Sequence, residues 1–312
     1  MKGRLRSIIG IALSAVLLWW TLRDVSLAVV WGELRKSNLP LLLLAAVGGT
    51  LVFPIRALRW RTILQPVADV SFGPLWRSTA IGMMVNNVLP ARAGEIARAF
   101  ALTREAPVPF SSAIASLAVD RVFDAITVLL LASAAMLDPK FPSGATIAGQ
   151  PISSWAGGTG LIVLVALGGL YSLVFFPAYL VRLFELFSRK VAPSIEERGR
   201  QALMSFSDGL SVLRNPKHFM AVLAWAILHW LVNALAFWIG MIAVGIDIPY
   251  SAVLFIQALI ALGVAVPSAP GFFGLFEKLS VVSLALFGVG AAAATSWAIG
   301  FHILSFIPIT VI

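Results

Sequence analysis

The chain has 312 residues, 60% of them hydrophobic and 12% charged, with a net charge of +9, no cysteine and three histidines. A soluble domain carries roughly twice that charged fraction, so lipid must be the solvent for most of the surface. The absent thiols exclude disulfides, thiolate metal sites and cysteine nucleophiles. His218, His229 and His302 are scattered without HExxH spacing, so no metal or other cofactor is expected.

Apolar stretches of spanning length predict six transmembrane helices, at 7–22, 39–58, 110–136, 156–181, 218–243 and 292–312. The first follows Lys2, Arg4 and Arg6, as a signal peptide would. It ends in Trp19 and Trp20 without a small-residue cleavage site, so it reads as an uncleaved span. Trp60, Trp76 and Trp155 lie near other predicted ends, as an aromatic belt would. Residues 24–37 predict a short interfacial helix anchored by Trp31. Residues 182–217, with Leu203, Phe206, Leu210 and Leu213 at helical spacing, read equally as an interfacial helix or a solvated linker.

Two apolar stretches resist reading as simple spans. Residues 76–104 are broken by Pro90 and Gly94, and residues 251–288 by Pro267, Pro270, Gly271 and Gly274. Proline removes a backbone donor and glycine admits positive φ, so a helix stops at each break. Freed backbone groups at membrane depth are tolerated only inside protein or beside water, and both stretches therefore predict re-entrant helical hairpins. Basic residues concentrate at Lys2, Arg4, Arg6, Arg56, Arg59, Arg61, Arg77 and across 182–217, against Arg23, Arg35, Lys36 and Lys140 on the other side. That bias places both termini in the cytoplasm, explains the basic balance without nucleic acid, and has the first hairpin entered from the cytoplasm.

The fold class expected is thus an all-α polytopic membrane protein, a single transmembrane domain over 1–312. Each half runs span, span, hairpin, span, and the halves 1–138 and 155–312, joined by an external loop, outline an inverted repeat. Pro90 precedes Gly94 by four residues, as Pro267 precedes Gly271.

Charges within the apolar stretches mark candidate sites. Arg92, Glu95 and Arg98 share a helical face, and Asn86 and Asn87 lie beside a restarting helix N-terminus. These five predict an anion or phosphate site, since arginine offers a planar fork of donors. The alternative is that Glu95 neutralises one arginine while the other snorkels to the surface. Asp120, Arg121 and Asp124 sit at mid-depth in the third span. They read either as a gating or proton-linked network or as a buried structural ion pair, with Glu277 expected to pair with Arg121 or a hairpin arginine. His229, Asn233 and His302 read as interhelical hydrogen-bonding groups.

The stretch from Asn87 through Pro90, Arg92, Gly94 and Glu95 to Arg98, then Asp120-Arg121-Val122-Phe123-Asp124, then Pro267 through Pro270, Gly271 and Gly274 to Glu277, resembles the lysylphosphatidylglycerol synthase transmembrane, or flippase-like, family. The likeness covers nearly the whole chain. It implies a protein of the bacterial cytoplasmic (inner) membrane that moves lipids between leaflets. Its partners would be membrane lipids with an anionic or phosphate-bearing headgroup. Some stand-alone relatives are associated with hopanoid pathways and others with lipid-linked glycan pathways. The aminoacyltransferase domain of the fused members is not in this sequence, so lipid synthesis is not implied.

The reading is a non-enzymatic lipid transporter, with oligomers allowed. The alternatives are a membrane-embedded lipid-modifying enzyme and a non-transporting partner of a lipid-biosynthesis complex. The topology has a direct test. Single cysteines at positions 140 and 247 should react with an impermeant thiol reagent from outside and one at position 200 should not; external labelling of 200 overturns the layout.

Overall fold

The computed structural model describes residues 27–89, 93–142, 175–191, 214–264 and 270–312, with scattered positions between 144 and 204. Helix α1 (Leu27–Lys36) lies where the first interfacial helix was expected, and Arg35 stacks its guanidinium 5.2 Å from the ring of an exposed Trp31. Helix α2 (Leu39–Leu64) begins at Asn38, whose side chain accepts the Leu41 N–H at 3.2 Å, with Pro40 in the first turn where no donor is needed. It is followed by α3 (Phe72–Val88), α4 (Gly94–Glu105) and α5 (Phe110–Ala135). The connecting loop holds a two-residue antiparallel ladder, β1 (Thr146–Ile147) against β2 (Gln150–Pro151).

The second half contributes α6 (Pro177–Val191), α7 (Pro216–Ala243), α8 (Tyr250–Gly263), a 3-10 turn (Pro270–Phe272), α9 (Leu275–Ala285) and α10 (Ala291–Val311). Helices α2, α7 and α10, with 26, 28 and 21 residues, are long and apolar enough to cross a membrane. At 1.5 Å per residue each exceeds ~30 Å of hydrocarbon. Helix α5 has the same 26-residue length but carries Asp120, Arg121 and Asp124 at its middle. The expected spans at 39–58, 110–136, 218–243 and 292–312 thus match helices. The first span, 7–22, lies outside the described residues, as do nearly half of 156–181 and of 182–217, including Leu203, Phe206, Leu210 and Leu213.

Helices α2 and α7 form the axis of the molecule. They run antiparallel, because the Asn38 N–H donates to Ala243 O at 2.8 Å at one end and His218 meets Gln65 at 3.0 Å at the other. Small residues set their spacing, and a Cβ on Gly48 would stand 3.2 Å from that of Ala236. Around one end of this pair, α8 and α10 build a core of Ile256, Ile260, Trp297 and Phe301 against Leu42, Ala45, Ala234 and Met241. Around the other end, α3, α4 and α5 pack Leu75, Ala99, Leu102, Ala113 and Leu117 on Ala57, Trp60 and Leu64.

The two expected hairpins are helix pairs. Helix α3 packs on α4, and α8 packs on α9. The first hairpin is clasped at its open end by Arg77, which donates to Glu105 and holds that carboxyl below its ordinary range. The second is closed at its open end by Phe255, Phe287 and Phe141, in edge-on ring contacts. Those open ends lie at opposite ends of the α2–α7 axis: Phe141 and Phe287 lie with the Asn38–Ala243 end, Arg77 and Glu105 with the Gln65–His218 end. Between them, α3 packs on the 3-10 turn.

At the first break, Gly94 lies so close to α3 that a Cβ would collide with the Gly82 carbonyl oxygen and with Asn86. Gly94→Ala should therefore open the hairpin and lower the unfolding temperature in detergent by several degrees. Gly290→Ala is the matched control, since a Cβ there meets nothing within 4 Å; equal stability of the two variants would contradict this packing.

Candidate functional site

Helix α2 turns Phe53, Arg56, Ala57, Arg59, Trp60 and Ile63 inward near its C-terminal end. Helix α5 presents Asp120 and Asp124, one turn apart, to the same interior. Small residues let these backbones approach: Ala57 on α2, Ala99 on α4 and Ala113 on α5 are all fully buried. The Arg59 guanidinium fits between the two carboxylates and is itself wholly buried. Its Nη1 donates to Asp124 Oδ1 at 2.7 Å, and its Nε lies 2.6 Å from Asp120 Oδ1, a close charge contact off the hydrogen-bonding direction.

Further cations surround the same carboxylates. Arg98 of α4 brings Nη1 to 3.5 Å from Asp120 Oδ2, with its guanidinium 4.0 Å over the Trp60 ring. Arg56 approaches Asp120 at 3.8 Å. Arg121 reaches both Asp120, at 3.0 Å, and Asp124, at 3.1 Å, and its Nε lies 3.6 Å from Glu95. From α7, the Trp230 indole donates to Asp124 at 3.1 Å, and His229 stands 3.6 Å away. Trp60 is fixed by donating to Ser116 Oγ at 2.8 Å.

The cluster joins four guanidinium groups, of Arg56, Arg59, Arg98 and Arg121, to three carboxylates, of Glu95, Asp120 and Asp124. Among the described residues, one positive charge is left over in a buried place, where an unmatched ion is costly. Donors are left over too. Among the described residues, Arg56 Nε, Arg59 Nη2, and Arg98 Nε and Nη2 are buried without a hydrogen-bond partner. The cluster is graded in depth. Arg59 and Asp120 are sealed, whereas the Arg121 and Glu95 side chains are 36% and 30% exposed and form its mouth.

The sequence-level candidates are therefore distributed as follows. Glu95, Arg98, Asp120, Arg121 and Asp124 come together. Arg98 points into the protein, not outward along a shared face with Glu95, because Asp120 and the Trp60 ring hold it there. Asn86 and Asn87 are engaged at the hinge. Asn86 Oδ1 accepts the Gly94 N–H at 2.8 Å, at the N-terminus of α4, and Asn87 donates to Thr310 of α10 at 2.9 Å. Pro90, Arg92 and Pro267 lie outside the described residues. Gly271 and Gly274 have φ of 64° and 82°, and Phe272 between them is also left-handed at 61°, so the second break is a conformation that side chains resist.

Two expectations need correction. Among the described residues, Glu277 pairs with neither Arg121 nor Arg98; it meets His302 of α10 at 2.5 Å, because α9 packs on α10 and its first turn faces that helix. Arg56 and Arg59 are not cytoplasmic loop residues. Helix α2 continues through Leu64 and buries both. Their i,i+3 spacing beside Trp60 was the available signal. Trp230, a second partner of Asp124, carried no such signal, whereas His229, read as an interhelical hydrogen-bonding group, stands beside Asp124 on a neighbouring helix. The hydrogen bond from Asn233 to Gln257, at 3.1 Å, joins α7 to α8 as that group was read.

The fold and this buried ion cluster define a multi-pass, all-α membrane protein. The chain belongs to the family described as the lysylphosphatidylglycerol synthase TM region, whose model matches residues 7–312. It is 26% identical to a protein named glycosyltransferase AglD from Haloferax volcanii, over 96% of this chain and 52% of that protein. The chain thus spans about half the length of that relative. It is 23% identical to a UPF0104 membrane protein of Methanothermobacter thermautotrophicus, over 98% of this chain and 91% of that one. A UPF0104 membrane protein of Pyrococcus horikoshii is 26% identical, over 95% and 90% of the two chains.

The centrality of Arg59 has a measurable consequence. Arg59→Ala leaves two buried carboxylates without their nearest cation and should destabilise the protein by about 3–5 kcal/mol. Arg59→Lys should recover only part, since one ammonium cannot span both carboxylates as the fork does. Thermal unfolding in detergent checks this, and an unchanged Arg59→Ala would remove Arg59 from the centre of the cluster.

Proposed function

We propose that this protein carries a lipid with an anionic, phosphate-bearing headgroup between membrane leaflets, including a phosphate-linked isoprenoid lipid. The observation that carries the reading is the buried cluster with one positive charge in excess and unpartnered guanidinium donors. Such a cluster is completed by an anion from outside it. Glu95 at the mouth acts as a stand-in: its loose 3.6 Å contact with Arg121 is the one an incoming phosphate displaces. The headgroup then moves between the hairpins while the tails stay in lipid. Exposed Ile96, Phe100, Ile81 and Met84 on the first hairpin offer the tails an apolar surface.

We read the protein as non-enzymatic, because the acids in the cluster are tied to arginines. It would act in the cytoplasmic membrane with its N-terminus inside, following the bias of basic residues. The printed name of the Haloferax volcanii relative supports a second reading, in which a chain of this kind assists a glycosyl transfer to lipid made by another domain.

Leaflet exchange of fluorescent phosphatidylglycerol in proteoliposomes tests the first reading against a diacylglycerol control of the same tails. The protein should accelerate the phosphate-bearing lipid selectively. Arg121→Gln should weaken headgroup binding about tenfold or more, the worth of one charge-assisted hydrogen bond. Glu95→Gln should strengthen it. No acceleration over protein-free vesicles sinks the carrier reading, and a chemically altered lipid points instead to an enzyme.

A further inference from the structure

Two hydroxyl groups of the first hairpin are buried to no evident purpose. Ser78 and Thr79, neighbours on α3, are 0% and 1% exposed. Among the described residues, neither Ser78 Oγ nor Thr79 Oγ1 has a hydrogen-bond partner. A hydroxyl inside a helix ordinarily closes on the carbonyl oxygen one turn earlier. Thr50, Thr62 and Thr310 all do so, on Ala46, Leu58 and Phe306. Ser78 and Thr79 do not, and a buried hydroxyl left unpaired is costly.

Their position on α3 places them beside the charge cluster. Leu75, Ser78, Thr79 and Gly82 recur at helical spacing and share one buried face. At one end of that face Leu75 packs with Ala57, Trp60 and Ala99. At the other, Gly82 lies against the Arg98 stem, where a Cβ would stand 2.8 Å from Arg98 Cβ. From that stem Arg98 reaches to the Trp60 ring, with its guanidinium 4.0 Å from the ring centre. Its side chain therefore runs along the turn of α3 that carries the two hydroxyls. Arg98 Nε and Nη2 are themselves buried without a partner, and so is Arg56 Nε.

Every group in this set can donate, and acceptors are short. Asp120 Oδ2 is approached by Arg121 at 3.0 Å, Arg98 at 3.5 Å and Arg56 at 3.8 Å. One carboxylate oxygen offers two lone pairs, too few for three guanidinium groups. Donors on three helices thus converge without an acceptor of several oxygens to share. A phosphate group is such an acceptor, and arginine and hydroxyl donors both match it. We propose that Ser78 and Thr79, with Arg56 and Arg98, form an inner subsite that binds the oxygens of a phosphate group.

The subsite deepens the carrier reading and rests on it for the source of the phosphate, a lipid headgroup. Arg121 at the mouth and Arg98 within reach the same Asp120 oxygen, so a headgroup passes between them by exchanging one arginine for the next. The arginines supply charge. The hydroxyls add donors that rotate freely and carry no charge, so they favour phosphate oxygens without raising the cost of an unfilled site.

The unfolding temperature of the purified chain in detergent, titrated with inorganic phosphate, dihexanoylphosphatidylglycerol or dihexanoylglycerol, reads the subsite through the stability that binding adds. The parent should respond to the phosphatidylglycerol and not to dihexanoylglycerol; a response to inorganic phosphate alone makes the free anion the ligand of the same subsite. Ser78→Ala and Thr79→Val should act in two directions. Without phosphate each should unfold no earlier than the parent, since it removes an unpaired buried hydroxyl. Toward the bound probe each should lose about tenfold in affinity, one hydrogen bond to a charged group. Thr79→Ser keeps the hydroxyl and should bind like the parent. Parent-like affinity in both Ser78→Ala and Thr79→Val overturns the subsite, as does a parent that binds neither phosphate probe; either variant decides if the other fails to fold. Leaflet exchange separates the two proposals. Weaker binding in the variants upholds the subsite even where no lipid moves, whereas selective exchange indifferent to both hydroxyls upholds the carrier and removes the subsite.

Discussion

One bidentate arginine organises this molecule. Arg59 bridges Asp120 and Asp124 inside an apolar bundle, and every nearby polar group is placed in relation to that bridge. Arg98 ties the first hairpin to Asp120, Trp230 ties α7 to Asp124, and Arg121 closes the outer side. Apolar helices in lipid have no hydrophobic drive toward one another, so packing of small residues and polar contacts must choose their partners. In the half of the molecule around α3, α4 and α5, the Arg59 bridge makes that choice.

The opposite half is held differently. There α7, α9 and α10 pack through rings, with Phe237 in contact with Phe276, Trp297 and Phe301. Among the described residues there, the buried ionisable pair is Glu277 with His302, enclosed by aromatic rings and bonded to the backbone of the 3-10 turn and of Gly274. One half thus buries its polarity as a network of ion pairs and the other as a single contact between Glu277 and His302. Across this division α3 of the first hairpin meets the 3-10 turn of the second.

The hairpins were legible because proline and glycine act locally. Gly94 and Gly274 interrupt a helix wherever it packs, so the breaks could be placed from the sequence. The mid-helix acids were legible for a similar reason, since Asp120 and Asp124 have no tolerable place except the interior. Their partners were not. Helix α2 is apolar on every side for most of its length, so it has no stripe to declare which face turns inward. Arg59 then reads as the basic end of a span, and only the tertiary fold carries it to Asp120. Glu277 was drawn toward the arginines by charge alone, yet its position in the first turn of α9 commits it to Gly274 and to the facing helix. Asn86 and Asn87 read as donors to a ligand, whereas the geometry of the break uses them to close the hinge and join α10.

The separation along the chain between Arg59 and its carboxylates bears on how the protein is made. Asp124 is 65 residues downstream of Arg59, and the α7 partner of α2 is synthesised later still. When α2 first leaves the ribosome, Arg56 and Arg59 lack these carboxylates, and their place near the C-terminal end of the helix lets them reach the interface, whereas an arginine held at the centre of a lone helix costs about 2.5–3.5 kcal/mol on insertion scales. The C-terminal turns of α2 must therefore wait at the membrane interface, or beside the insertion machinery, until α5 arrives. Settling of α2 to its final depth is then a late event of biogenesis, timed by the synthesis of Asp120 and Asp124.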